Sequence, residues 1–179
     1  MRRRNLFPIC LGLLLIVAGC SKRDGIPAST LAPSPEGPSG APRITSVKLV
    51  KATAQEVQLP ASGSAKATVR ITIQSGYHIN ANPPTYSYLK ATELWVQTGN
   101  GVSVGFISYP TPITRKFSFA QEPLAVYEGE TSLKVLLKAD SSTAKGSRSL
   151  PAKLYVQACD YQVCYPPGTL DLSLPVTVK

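Results

Sequence analysis

Two cysteines near one end of the chain, in Cys159-Asp160-Tyr161-Gln162-Val163-Cys164, carry the most explicit chemistry in its 179 residues. Four intervening residues let the backbone double back, and two sulfurs bond only when their Cα atoms come within about 4.4–6.8 Å, so a tight loop between two strands would join them. As a brace the bond would be weak. Closing a loop of about six residues removes only about 2 kcal/mol of unfolded-state entropy, against nearly 5 kcal/mol for a loop of about 100. A domain of this length can build its own core without such help. A redox-active pair and a local staple both remain open on these grounds.

Other chemistries find little support. The chain has one histidine, and a zinc site needs three or four ligands, so no metal is expected. A Ser-His-Asp or Cys-His arrangement is likewise unsupported. His78 reads as a polar strand residue, with a solitary base as its alternative. Asp160 and Glu93 are acidic residues able to tune a nearby thiol; solvated carboxylates are the plainer reading. No Gly-rich phosphate loop precedes a helix, and no cofactor is expected.

The first twenty residues read as an address. Arg2, Arg3 and Arg4 lead an apolar run from Leu6 to Val17, followed by Ala18-Gly19-Cys20, the layout of a secretory signal. The run is shorter than the roughly 20 apolar residues that a membrane-spanning helix needs. Val17-Ala18-Gly19-Cys20 resembles the bacterial lipobox. That resemblance implies a signal peptide over residues 1–19 and lipidation of Cys20, with Ser21 favouring the outer membrane over the inner. Each buried CH₂ of an acyl chain contributes about 0.8 kcal/mol, so several chains on Cys20 would hold the protein firmly. Export also places Cys159 and Cys164 in an oxidising compartment. With Cys10 lost and Cys20 acylated, they are left to pair with each other.

Residues 21–42 hold five Pro, three Gly and four Ser. Such a segment cannot offset the entropy of folding, and with Cys20 it is expected to be a disordered, extended tether over residues 20–42. Loss of the three leading Arg leaves 16 basic against 10 acidic residues, a net +6. The charges are scattered singly, without the basic stripe and interleaved aromatics that nucleic-acid binding requires, so none is expected.

From residue 43 onward the apolar period is two. Ala67, Val69, Ile71 and Ile73 alternate with polar residues, and Leu133, Val135 and Leu137 alternate with Lys134, Leu136 and Lys138. The pattern recurs at Leu150, Ala152, Leu154, Val156 and Ala158, and at Leu170, Leu172, Leu174, Val176 and Val178. Weaker strands are expected over 44–50, 55–59, 92–97 and 102–108. Pro175 lacks an amide donor, which predicts a sheet edge or an outward-facing position there. Turn signals separate these segments, and no helical period lasts three turns. About eight short strands over 43–179 indicate an all-β domain, an immunoglobulin-like β-sandwich.

The segment from Tyr155 through Cys159 and Cys164 to Tyr165-Pro166-Pro167 resembles the active-site hairpin of the N-terminal periplasmic domain family of the thiol:disulfide interchange protein DsbD. Gly76-Tyr77-His78-Ile79-Asn80-Ala81-Asn82-Pro83-Pro84, Thr92-Glu93-Leu94 and Val126-Tyr127-Glu128-Gly129-Glu130 are similar to its stand-alone members. The resemblance implies an immunoglobulin-like domain whose cysteines cycle between disulfide and dithiol. Cys164 would be the attacking thiolate and Cys159 the resolving one, beneath a cap loop matched by residues 109–123, with Phe117 and Phe119 as the cap aromatics and Asp160 and Tyr165 beside the pair. It further implies thioredoxin-fold periplasmic partners, including those of cytochrome c maturation. The chain carries no electron-feeding transmembrane domain, so a separate membrane electron donor is expected, and the protein is expected to act as a monomer. No cationic residue adjoins either cysteine in sequence, which predicts thiols of ordinary or raised pKa. The alternative is a β-sandwich binding or assembly lipoprotein in which the Cys159–Cys164 bond is structural only.

Overall fold

The structure is a computed structural model that describes residues 44–179. The expected signal peptide, Cys20 and the tether lie outside the described residues.

The domain is built almost wholly of strands: β1 (Val50–Ala54), β2 (Val57–Leu59), β3 (Ser64–Ile73), β4 (His78–Asn80), β5 (Glu93–Val96), β6 (Val102–Ser108), β7 (Ile113–Arg115), β8 (Leu124–Glu128), β9 (Glu130–Ala139), β10 (Gly146–Val156), β11 (Ala158–Cys159) and β12 (Gly168–Val178). One sheet has the order β1-β3-β9-β6 and a second the order β2-β12-β10-β5. Their inward faces form one core: Val69 and Ile71 of β3 and Leu133, Val135 and Leu137 of β9 join Leu154, Leu174 and Val176 from the opposite sheet, all buried. These are the alternate positions that the period-two pattern selects, and the result is the expected β-sandwich.

The third sheet, β11-β4-β8-β7, positions the cysteines. Its strands are short continuations of the sandwich. β11 follows β10 after Gln157, and β8 runs into β9 through Gly129, whose φ of +61° is a left-handed value that glycine adopts without strain. β4 follows β3 through a turn closed by Tyr77 N–H donating to the Gln74 carbonyl at 3.1 Å. Gly76 has φ +85° there.

Two expectations are corrected, and the one for Pro175 is narrowed to its second alternative. The strand over 44–50 is a helical turn, α1 (Ser46–Leu49), and extended pairing begins only at Val50. The cause is tertiary: Ser46 turns inward, and its hydroxyl donates to the Pro166 carbonyl at 2.7 Å while accepting from Ala158 N–H at 2.9 Å. Pro175 is not at a sheet edge, since β12 lies between β2 and β10. It sits one residue before β2 begins to pair at Val176, where that side of β12 is open. Finally, residues 109–123 are not all loop, because β7 pairs with β8 within them.

Candidate functional site

Cys159 and Cys164 face each other across a narrow antiparallel bridge. Asp160 N–H donates to the Val163 carbonyl at 2.9 Å and Tyr165 N–H to the Ala158 carbonyl at 2.9 Å. These bonds flank the cysteines, which makes them a non-hydrogen-bonded pair, the closer of the two antiparallel spacings. Their Cα atoms are 3.9 Å apart and their sulfurs are bonded. The Cα distance is shorter than the range expected for disulfides in general, as this narrow pairing favours. Cys159 is fully buried, whereas Cys164 is partly exposed.

Asp160 organises the loop between them. Its Oδ1 accepts from Gln162 N–H at 2.7 Å and Val163 N–H at 2.8 Å, and its Oδ2 accepts from the Tyr165 hydroxyl at 2.6 Å. The phenol and the two amides hold the Asp160 carboxyl below its ordinary pKa, and the carboxylate in turn pushes the Tyr165 phenol up to about 12. Asp160, read from sequence as a solvated carboxylate or one able to tune a thiol, is instead engaged by Tyr165 and the loop backbone. Glu93, by contrast, lies in β5 opposite Tyr155 of β10, in a different sheet from the cysteines.

Over the hairpin lies the segment after β7. Phe117 is 5% exposed and packs on Leu124 and Val126 of β8, a small cluster separate from the main core. Phe119 is 41% exposed and stacks on Phe117 with ring centroids 5.4 Å apart. Tyr161, at the hairpin tip, meets Phe117 at 6.3 Å in a tilted arrangement, and the Ser118 hydroxyl donates to the Tyr161 carbonyl at 2.9 Å. The structure therefore brings Phe117, Phe119, Asp160 and Tyr165 together with the cysteines.

Sequence reasoning left His78 as a polar strand residue or a solitary base and did not place it beside the cysteines. It lies opposite Cys159 in the β4–β11 register and opposite Glu128 in the β4–β8 register. Its ring stacks on Phe117 at 4.0 Å, 19° from parallel. Burial lowers its pKa to about 4, against the opposing pull of Glu128 and Asp160. Its Nε2 is buried without a hydrogen-bond partner. Arg115 grips Glu128 with three bonds of 3.2–3.3 Å. Arg115, Lys116, Glu128, His78, Phe117 and Tyr161 are among the residues lining a groove of about 480 Å³ beside the hairpin. Cations absent from the local sequence are supplied here by the fold. Ser46 was also missed; its hydroxyl ties both flanks of the hairpin, at Ala158 and Pro166.

This arrangement is a disulfide between a buried and a half-buried cysteine, with an aromatic segment packed against the hairpin tip. Among solved structures the chain is similar to the N-terminal periplasmic domain of ScsB from Proteus mirabilis, with 20% identity and a TM-score of 0.49, over 70% of this chain and 44% of that one. The chain thus spans less than half of that protein's length. It is also similar to PapD-like domain 7 of human CEP192, with 9% identity and a TM-score of 0.35, over 83% and 96% of the two chains. No curated protein matches it in sequence. The model of the family described as the thiol:disulfide interchange protein DsbD, N-terminal, matches residues 46–175, and the chain belongs to that family.

Proposed function

We propose that the domain is a periplasmic thiol-disulfide exchange module that relays reducing equivalents to thioredoxin-fold partners through Cys159 and Cys164. The observation that carries this reading is that the hairpin is held without its sulfurs. Ser46 bonds both flanks, Tyr165 N–H and Asp160 N–H close the bridge, and the Asp160 carboxylate binds three further groups. A disulfide here adds little to a loop already fixed, and its opening leaves the fold standing.

In the forward direction the reduced Cys164 thiolate attacks a partner disulfide. A mixed disulfide forms and one partner thiolate leaves. Cys159 then attacks Cys164, the intramolecular bond closes, and the second partner thiolate is released. The unequal burial of the two cysteine residues supports this division of roles. Phe117 and Phe119 act as the cap that a partner displaces, with Asp160 and Tyr165 holding the loop in shape.

A separate membrane donor would restore the dithiol. Residues 1–19 act as a lipoprotein signal, Cys20 as the lipid anchor, and residues 20–42 as the tether that gives the domain reach from the membrane, the outer one by the Ser21 criterion. Cytochrome c biogenesis is one process that consumes such electrons.

Replacement of Cys159 by Ala removes the resolving thiol and tests the reading. A mixed disulfide between Cys164 and a thioredoxin-fold protein is the expected product in periplasmic extract. A folded variant that captures nothing overturns the relay and leaves a structural disulfide on a binding module.

A further inference from the structure

We infer that His78 accepts the proton of the Cys159 thiol as that residue closes on Cys164. The inference deepens the exchange reading and rests on it. In the disulfide form Cys159 has no exposure to solvent, and once reduced it attacks only as a thiolate. A neighbouring group that takes the proton therefore speeds its attack.

The candidates are few and can be weighed. Asp160 on the hairpin is occupied by the Tyr165 hydroxyl and two backbone amides. Glu128, facing His78 from β8, is occupied by Arg115 of β7. Lys116, on the cap segment, is a cation and donates to the Gln121 carbonyl. Tyr161 at the hairpin tip packs on Phe117, and Tyr77 beside β4 packs on Tyr165. His78 remains. It is directly opposite Cys159 across β4 and β11, a relation that puts the two side chains on one face of the sheet with Cβ atoms about 4.5–5.5 Å apart. It is 2% exposed, and its Nε2 is buried with no partner. Buried polar atoms in native proteins are nearly always bonded, so an orphan of this kind marks a group kept for a partner that comes and goes.

Burial lowers the imidazole pKa to about 4, which keeps the ring neutral and in its accepting form at physiological pH. Phe117, stacked on the ring, enforces that burial. As a docking partner moves Phe117 aside, the ring is released from part of its desolvation and binds a proton more readily. The cap then governs the base as well as access to the sulfurs.

The step balances as follows. The Cys159 thiol gives its proton to His78, and its sulfur electron pair forms the bond to Cys164 Sγ. The bond between Cys164 and the partner sulfur breaks, its electron pair leaving with the partner thiolate. The imidazolium returns the proton to that thiolate. The module is oxidised to the disulfide, and the partner is reduced by the same two electrons.

The test uses the reduced full chain and oxidised glutathione as the probe disulfide, with acid quenching and mass spectrometry to separate the mixed disulfide from the closed form. The closure step is compared in wild type, His78→Phe, which keeps a ring against Phe117, and His78→Gln. The expected result is closure slowed by about tenfold or more near pH 6 in both variants, with a rate that rises about tenfold per pH unit as direct thiol ionisation takes over, while the wild-type profile is shallower. If His78→Phe does not fold, His78→Gln decides. Closure within about twofold of wild type and an unchanged pH profile overturn the role of His78 and leave the exchange reading intact. A wild-type protein that forms no mixed disulfide with the probe overturns that reading and the role of His78 with it.

Discussion

The Tyr165 hydroxyl donates to Asp160 Oδ2 at 2.6 Å, a bond that spans the loop between the sulfurs and fixes a residue next to Cys164 relative to one next to Cys159. The pair explains how a loop of four residues keeps its shape whether or not the sulfurs are joined.

Its first consequence is a titration. The carboxylate raises the phenol to about 12, so Tyr165 contributes to stability below its unfolded pKa of about 10, and that contribution is lost as pH rises through the folded value. Asp160 has the opposite sign: its depressed folded pKa gives a contribution present above about pH 4 and lost as pH falls through the folded value. Phenolate absorbance should show one tyrosine titrating near 12 in wild type and nearer 10 in Asp160→Asn. An identical titration in the two proteins would show that the bond does not form.

Ser46 supplies a second prediction. Ser46→Ala removes the acceptor of the Ala158 amide and the hydroxyl donor to Pro166, and an unmet buried amide costs about 1–3 kcal/mol. Denaturant unfolding should show a loss in that range. Hydrogen exchange should rise first at Ala158, beside Cys159, and a variant as stable and as protected as wild type would refute the clamp.

The sandwich was legible in the sequence because β3, β9, β10 and β12 alternate strictly, and their inward residues are the buried ones. Among the strands that were missed, β4 and β7 give no such signal. β4 is buried at all three of its positions and β7 exposed at all three of its own, so neither has an apolar period to read. The cysteine pair, the cap aromatics and the Asp160-Tyr165 neighbourhood were visible through the resemblance of local segments. Ser46 lies 112 residues from Ala158 and His78 pairs with Cys159 through a two-residue strand. Both relations are made by tertiary pairing, and spacing along the chain carries no trace of them.

His78 also predicts how stability depends on pH. Its folded pKa, about 4, lies below the ordinary 6.5, so the unfolded chain binds the proton more tightly. The associated stability is fully present above about pH 6.5 and declines as pH falls toward 4, with a total of about 3 kcal/mol. Unfolding free energies measured across this interval should fall in wild type and fall less in His78→Phe by about that amount. Parallel curves would contradict the buried, neutral imidazole.

Phe117, the proposed cap aromatic, packs on Leu124, Val126 and His78. Phe117→Ala opens a cavity in that small cluster and should destabilise it by about 3 kcal/mol. Dithiothreitol should then reduce the Cys159–Cys164 bond faster than in wild type, by about tenfold or more, as the cap spends more time open. Equal reduction rates would mean that Phe117 does not shield the sulfurs.

The reduction potential of the Cys159–Cys164 couple, measured against glutathione redox buffers, bears most directly on whether these sulfurs exchange. Structural disulfides in exported proteins lie below about −300 mV. An exchange module should equilibrate with the buffers at a less negative potential, with the fold intact in both states by circular dichroism. A bond that stays closed at every glutathione ratio, or a domain that unfolds when it opens, would contradict the account.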